Sequence, residues 1–255
     1  MSPREQRPRH RIGPVVIDSV GPEDLVDQLG SAADAGTGLL VGYVNAHAFE
    51  LLHRDPSFAA AVARMEIVFC DGFGALLGFR LLGAPVATRM TPPDFVEELF
   101  DRFSSLGQRI FLLGDEDLVV DAMRARVETR WPGLVTGAHH GYFAASEETR
   151  VRERIAASGA SLVLVAMGMP RQELWMDRNR AALPGCSMLA VGALYRWYTG
   201  TERRGPRWLT DSGFEWLARL SIQPRRVWRR YLLGLPRFAW RVLALRLRGV
   251  RATPI

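Results

Sequence analysis

The 255 residues contain no lysine, so all 33 basic side chains are arginine. An arginine-only complement points to biased codon composition, and no single guanidinium carries weight by its presence alone. Cysteine is nearly absent as well: Cys70 and Cys186 are the only two thiols, too few for a disulfide-stapled scaffold. No Cys or His spacing completes a zinc site. No apolar run approaches the roughly 18 residues that a spanning helix needs. Met1 to Arg11 holds four arginines and no apolar stretch, unlike a secretory leader. These absences lead us to expect a cytosolic, disulfide-free chain. No internal repeat or low-complexity linker interrupts it.

What is present suits one sizeable core with a smaller appendage, given 48% hydrophobic side chains. The charge is unevenly placed. From Arg203 to Arg251 there are 13 arginines against Asp211 and Glu215, a net of +11, while the rest of the chain carries −5. An acidic body with a basic tail points to an anionic partner for the tail, either a membrane surface or nucleic acid.

Apolar runs of strand length alternate with segments of helical length. The runs are Pro14–Ile17, Leu39–Val44, Ile67–Cys70, Arg109–Leu113, Leu134–Ala138, Leu162–Ala166 and Met188–Val191. This rhythm predicts an α/β fold, Rossmann-like, with a mostly parallel sheet covered by helices on both faces. We place an α/β domain over residues 12–201 and a basic amphipathic helical appendage over 202–250. In the appendage, a helical wheel sets Arg225, Arg226, Arg229 and Arg230 opposite Val227, Trp228, Tyr231, Leu232 and Leu235. Arg237, Arg241 and Arg248 similarly oppose Trp240, Leu243 and Leu247. Such helices fit a membrane interface; the alternative is a bundle packed on the body with solvated arginines. Nucleic acid fits less well, because the aromatics lie away from the arginines rather than among them. On the membrane reading, a chain cut after Glu202 should remain folded and lose its affinity for anionic vesicles.

The chain is organised around Glu66-Ile-Val-Phe-Cys-Asp71-Gly-Phe-Gly74, an apolar run ending in one carboxylate and a Gly-x-Gly turn. In an open α/β sheet, side chains at the carboxyl ends of strands converge on one crevice. Asp71 stands at such an end, although the local spacing alone favours an N-cap for a helix starting near Phe73. Leu162 to Trp175 reads as strand, Gly168 turn and helix, whose first turn offers backbone N–H groups and Arg171 to a phosphate. Asp115-Glu116-Asp117 matches the acidic triplet with which nucleotide-sugar enzymes hold a divalent metal, but acids at a helix start are expected from the macrodipole alone. His139-His140 could ligate a metal, yet adjacent side chains on extended backbone point to opposite faces. We therefore assign no metal and no cofactor.

Several motifs, in order and spacing over roughly Val15 to Leu247, resemble the WecG/TagA/CpsF glycosyltransferases. They are Val44-Asn45, Val68 to Gly74 with Asp71, Arg89-Met90-Thr91 followed by Asp94, His139-His140-Gly141-Tyr142-Phe143, Gly168 to Glu173, and Pro206-Arg207-Trp208 to Pro236-Arg237-Phe238. The resemblance implies inverting, metal-independent transfer of a sugar from a nucleotide diphosphate, usually UDP, to a polyprenyl-diphosphate-linked sugar at the cytoplasmic face of the membrane. It implies hexosyl transfer in cell-surface polysaccharide or glycolipid assembly, with a donor of N-acetylhexosamine, aminuronic or uronic type. It aligns the family's base with Asp71. It also makes Asn45, Arg89, Thr91, Asp94, Tyr142, Gly168, Arg171, Gln172, Glu173, Tyr195 and Arg196 substrate-binding candidates. Without a metal, charge on the departing diphosphate must be met by arginines and helix N-termini, with Arg203, Arg204 and Arg207 of the tail as further candidates. The partners implied are the nucleotide sugar, the lipid-linked acceptor and the membrane surface, without nucleic acid and with room for a homo-oligomer.

The chain departs from the family pattern at Tyr43, where Thr is usual, at Pro92-Pro93 before Asp94, and at Tyr195-Arg196, where Phe-Asp is usual. Arg196 either pairs with an anionic group of the donor, or points to solvent or pairs with a nearby acid. A noncatalytic nucleotide-sugar-binding protein docked on membranes is the rival reading; the retained Asp71 favours the enzyme.

Overall fold

The computed structural model describes residues 8–86, 88–202, 215–222 and 224–255. The chain begins with β1 (Arg9–Ile12) and β2 (Val15–Asp18), an antiparallel hairpin turned by Gly13-Pro14 with Gly13 at φ +57°, a conformation glycine supplies without strain. There follow α1 (Pro22–Asp34), β3 (Leu40–Val44), α2 (Ala46–Leu52), α3 (Pro56–Ala63), β4 (Ile67–Cys70), α4 (Phe73–Leu81) and α5 (Pro92–Ser105). The second half runs β5 (Ile110–Gly114), α6 (Asp117–Arg130), β6 (Val135–His139), α7 (Glu148–Ala157), β7 (Leu162–Ala166), α8 (Arg171–Asn179), β8 (Ser187–Ala190) and α9 (Leu194–Thr199). Beyond it lie α10 (Glu215–Ile222), α11 (Pro224–Trp228), a π-helical turn (Arg229–Leu233), α12 (Gly234–Leu247) and β9 (Thr253–Pro254).

Six strands form a parallel sheet in the order β4-β3-β8-β7-β5-β6. β3, β4, β5, β7 and β8 are buried along their whole length, as strands covered on both faces must be. That double burial is why they read as unbroken apolar runs. The observed strands lie within one residue of the expected boundaries, with one difference of partner. Pro14–Ile17 was expected among the parallel strands, but the strand there, β2, pairs with β1, which in turn pairs with β9, in a separate three-stranded sheet. Side chains link it to the main sheet: Asp18, buried, accepts the Val68 N–H at 2.7 Å, and Arg9 donates to Met65 O at 2.9 Å.

The end of the chain returns onto the body. Phe238 and Val242 of α12 are buried, and Phe238 meets Phe49 edge-to-face at 5.2 Å. A Cβ on Gly78 would stand 2.6 Å from the Phe238 ring and 3.2 Å from Val242, so only glycine lets α12 lie this close to α4. Arg241 was expected on a basic arc turned to a membrane interface or, in the alternative, to solvent. It turns inward instead, to a two-pronged pair with Glu50 of α2 at 2.8 and 3.3 Å. Trp240, Leu243 and Leu247, its expected opposites, face outward. The outcome follows from Phe238 and Val242 lying one turn apart: burying that pair swings the intervening Arg241 toward Glu50. Ala252 N–H then donates to Leu82 O, and β9 closes on β1. Among the described residues no helix is long and apolar enough to cross a membrane.

Candidate active site

β5 and β7 are neighbours whose onward connections leave in opposite directions, to β6 and to β8. At the carboxyl ends of such strands the following loops separate and a crevice opens. A cleft of about 260 Å³ lies there, lined by side chains that follow β3, β4, β5, β7 and β8. Asn45, Asp71, Thr91, Asp115, Tyr142, Gly168 and Arg196 all border it.

Asp71 follows β4 directly, and its N–H donates to Val44 O at 3.0 Å. The N-cap of α4 is Gly72, at φ +89° and with no side-chain cap. The capping explanation of Asp71 therefore falls away, and its carboxylate faces the cleft. Asn45 orients it. As N-cap of α2, Asn45 accepts the N–H groups of His47 and Ala48 on Oδ1, each at 3.0 Å. That leaves its Nδ2 to donate to Asp71 Oδ2 at 3.0 Å.

Opposite, Gly114 (φ +135°) and Asp115 (φ +57°) turn the chain out of β5. A Cβ on Gly114 would stand 2.5 Å from the Ala166 backbone, so β5 and β7 stay close up to the cleft. Asp115 is buried, and its two oxygens accept from Arg196 at 2.6 and 3.0 Å. Arg196 also donates to Glu116 at 2.8 Å and lies 3.8 Å from Glu202. Burial works against the Arg196 charge, but its hydrogen bonds to Asp115 and Glu116 more than offset this and hold its pKa above the usual range. Of the two readings of Arg196, the structure shows pairing with nearby acids, on the wall of the cleft. Asp115, discounted as an ordinary helix-start acid, is part of that wall. Among the described residues no group of three His, Cys, Asp or Glu is placed to hold a metal ion.

His139 and His140 do not point to opposite faces: their rings stack with centroids 4.5 Å apart. β6 ends at His139, so strand alternation does not extend to His140. The stack is fixed by His139 Nδ1 at 2.7 Å from His140 O and by Tyr142 N–H donating to His140 Nδ1. This loop carries Tyr142, 63% exposed, to the cleft mouth. Arg171 lies beside it, over the rings of Tyr142 and Phe143 and donating to Phe143 O at 3.2 Å.

Other expected contacts lie behind the walls. Gln172 and Glu173 are fully buried. Gln172 Oε1 accepts the Gly168 N–H, and its Nε2 donates to Glu173 at 2.7 Å and approaches the Tyr43 hydroxyl at 3.5 Å. The Gly168 N–H is thus engaged within the turn instead of being offered to a phosphate. Burial pushes the Glu173 carboxyl up to about 7, against the opposing hydrogen bond from Gln172. Tyr195 is buried and donates to Leu164 O at 2.7 Å. Asp94 Oδ2 accepts the N–H and hydroxyl of Thr91 and pairs with Arg89 at 3.3 Å, so it fixes the start of α5. Gln172, Glu173, Tyr195, Asp94 and Arg89 therefore shape the cleft rather than line it. Arg203, Arg204 and Arg207 fall outside the described residues.

His47, Trp197 and the backbone from Val191 to Ala193 border the cleft unforeseen. His47 was within reach of the sequence, two residues past Asn45, which the family motif already singled out. Tyr43 also lines it, and a Cβ on Gly192 (φ +55°) would stand 2.5 Å from the Tyr43 hydroxyl. The tyrosine hydroxyl requires glycine opposite.

The protein-family description "Glycosyl transferase WecG/TagA/CpsF family" matches residues 10–252, nearly the whole chain.

Proposed function

The chain belongs to the WecG/TagA/CpsF glycosyltransferases and has a glycosyltransferase role in cell-surface polysaccharide synthesis; from that premise we propose inverting transfer of a sugar from a nucleotide diphosphate, with Asp71 as general base. The observation that carries the proposal is the Asp71 carboxylate at the cleft, oriented by Asn45 Nδ2 at 3.0 Å, with Gly72 as the N-cap of α4. The donor sits with its sugar in the cleft, and the acceptor hydroxyl approaches Asp71. Asp71 takes the hydroxyl proton as the oxygen attacks the anomeric carbon, and the nucleoside diphosphate departs with the bonding electron pair.

Charge on the diphosphate is met by Arg171 at the rim and by Arg203, Arg204 and Arg207 of the tail, without a divalent metal. The second cleft carboxylate supports this, since both oxygens of Asp115 are already neutralised by Arg196. The donor is a UDP-sugar of N-acetylhexosamine, aminuronic or uronic type. The acceptor is a polyprenyl-diphosphate-linked sugar, met at the inner membrane face through the basic C-terminal helices.

A panel of nucleotide sugars with a short polyprenyl-diphosphate sugar tests this reading. Transfer from one donor with inverted anomeric configuration is expected, as is its loss in Asp71→Asn with donor affinity kept within a few-fold. Near-normal turnover by Asp71→Asn ends the role of base, and transfer stopped by EDTA and restored by Mg²⁺ or Mn²⁺ ends the metal-free reading.

A further inference from the structure

α4 is apolar almost all round, and it is not fully buried. Ala75, Leu76 and Phe79 face the core, whereas Phe73, Leu77 and Leu81, at i, i+4 and i+8, are 49–51% exposed. A helix of this composition on a surface lacks a partner on its outer side. α12 packs against α4 at Gly78 and turns Trp240, Leu243 and Leu247 outward, at 70%, 48% and 76% exposed. The two helices thus bring two apolar stripes to adjoining positions.

Charge selects the occupant. From Gly72 to Pro93, and again from Trp216 to the last residue, the sequence has no acidic side chain, while the second stretch holds ten arginines. Arg237, Arg246 and Arg248 of the α12 region are exposed. A protein partner's apolar face would not require this double exclusion of acids. An anionic lipid surface does, because apolar side chains enter the acyl boundary while guanidinium groups stay among the headgroups.

We propose that Phe73, Leu77 and Leu81 of α4, together with Trp240, Leu243 and Leu247 of α12, form one lipid-contacting face that lies in the interface of an anionic membrane. The catalytic body, and not the tail alone, then touches lipid. Phe73 follows Asp71 by two residues, so the face holds the cleft beside the headgroups, where a lipid-linked acceptor presents its sugar. The inference rests on the functional reading for the acceptor, but its test needs neither donor nor turnover.

Leu77→Cys in the full chain, labelled with a polarity-sensitive fluorophore, is mixed with phosphatidylglycerol-rich vesicles; the native Cys70 and Cys186 are both buried. Co-sedimentation and a blue shift of the label are expected. Leu77→Glu/Leu81→Glu, with an unchanged melting temperature, is expected to lower vesicle partitioning at least tenfold, in part persisting at high salt. Vesicle binding without a label shift, or undiminished in the double variant, would leave a tail-only contact and overturn the inference. A shift that follows protein concentration without vesicles would identify a second copy as the occupant and overturn it too. No vesicle binding at all would sink the membrane part of the functional reading with it. Transfer to a soluble acceptor stands or falls separately.

Discussion

Asn45 Nδ2 donates to Asp71 Oδ2 at 3.0 Å while Asn45 Oδ1 caps α2 through two backbone N–H groups. The cap fixes which end of the amide meets the carboxylate, so a feature of helix geometry positions the proposed base. Asn45→Asp keeps a capping oxygen and replaces the donor with a second carboxylate. Like charges at this distance raise an apparent pKa of the pair. The low-pH limb of the kcat/KM profile is expected to move up by about one unit or more. Asn45→Ala should instead lower stability by about 1 kcal/mol through the lost cap. An unmoved limb in Asn45→Asp would separate Asn45 from the base.

Arg196 and Asp115 are 13% and 6% exposed at their side chains; Asp115 takes its charge compensation from Arg196, which also pairs with Glu116. Arg196→Ala leaves a buried carboxylate and should cost about 2–3 kcal/mol in thermal or denaturant unfolding. Asp115→Asn is the matching change, because asparagine tolerates the φ of +57° at this position. Arg196→Ala/Asp115→Asn is expected to cost well under the sum of the single variants. Additive losses would show that the pair contributes no coupling.

Glu173 is buried, and its pKa is pushed up to about 7 by burial. A carboxyl raised in the folded state contributes stability that is fully present below its ordinary pKa, near 4.5, and is lost as pH rises through about 7. Glu173→Gln keeps an oxygen for the Gln172 amide and carries no charge. The variant should therefore gain on the parent between pH 5 and 8, by up to roughly 3 kcal/mol. Parallel melting temperatures across that range would show Glu173 to be charged throughout.

Much of this architecture can be read from sequence because parallel strands buried on both faces are continuous apolar runs, and because their carboxyl ends converge. Asp71 reaches the cleft for that reason, whereas Asn45, Thr91, Tyr142 and Arg196, which also border it, were reached through the family resemblance. Val15–Asp18 shows the limit: an apolar run announces a strand and not its partner, and β1, Arg-His-Arg-Ile, announces nothing. Gln172 and Glu173 follow a glycine turn that borders the cleft, but which side of α8 faces inward depends on how the helix docks. Arg241 escaped the sequence for a related reason. A wheel separates arginines from leucines but cannot know that Glu50, some 190 residues earlier, waits for Arg241.

That ion pair bears on the expectation that a chain cut after Glu202 keeps a folded body. The cut removes Phe238 and Val242 from the core, strips the edge-to-face partner of Phe49, and deletes the strand paired with β1. It also leaves the Glu50 side chain, 9% exposed, without Arg241. Phe238→Ala alone should cost about 3 kcal/mol, as for other buried aromatics. Arg241→Ala should cost about 2 kcal/mol, most of it recovered in Glu50→Gln/Arg241→Ala, because what destabilises is the stranded charge rather than the lost pair. Together these losses approach the roughly 5–15 kcal/mol that holds a typical domain folded. The chain ending at Glu202 is therefore expected to melt at least 10 °C below the full chain, or to aggregate. Its failure to bind vesicles would then say nothing about lipid, and point variants on the outer face are the sound test. A truncated chain that unfolds cooperatively at the full-length temperature would show α12 to be a passenger on the body, with Phe238 and Arg241 contributing nothing to its stability.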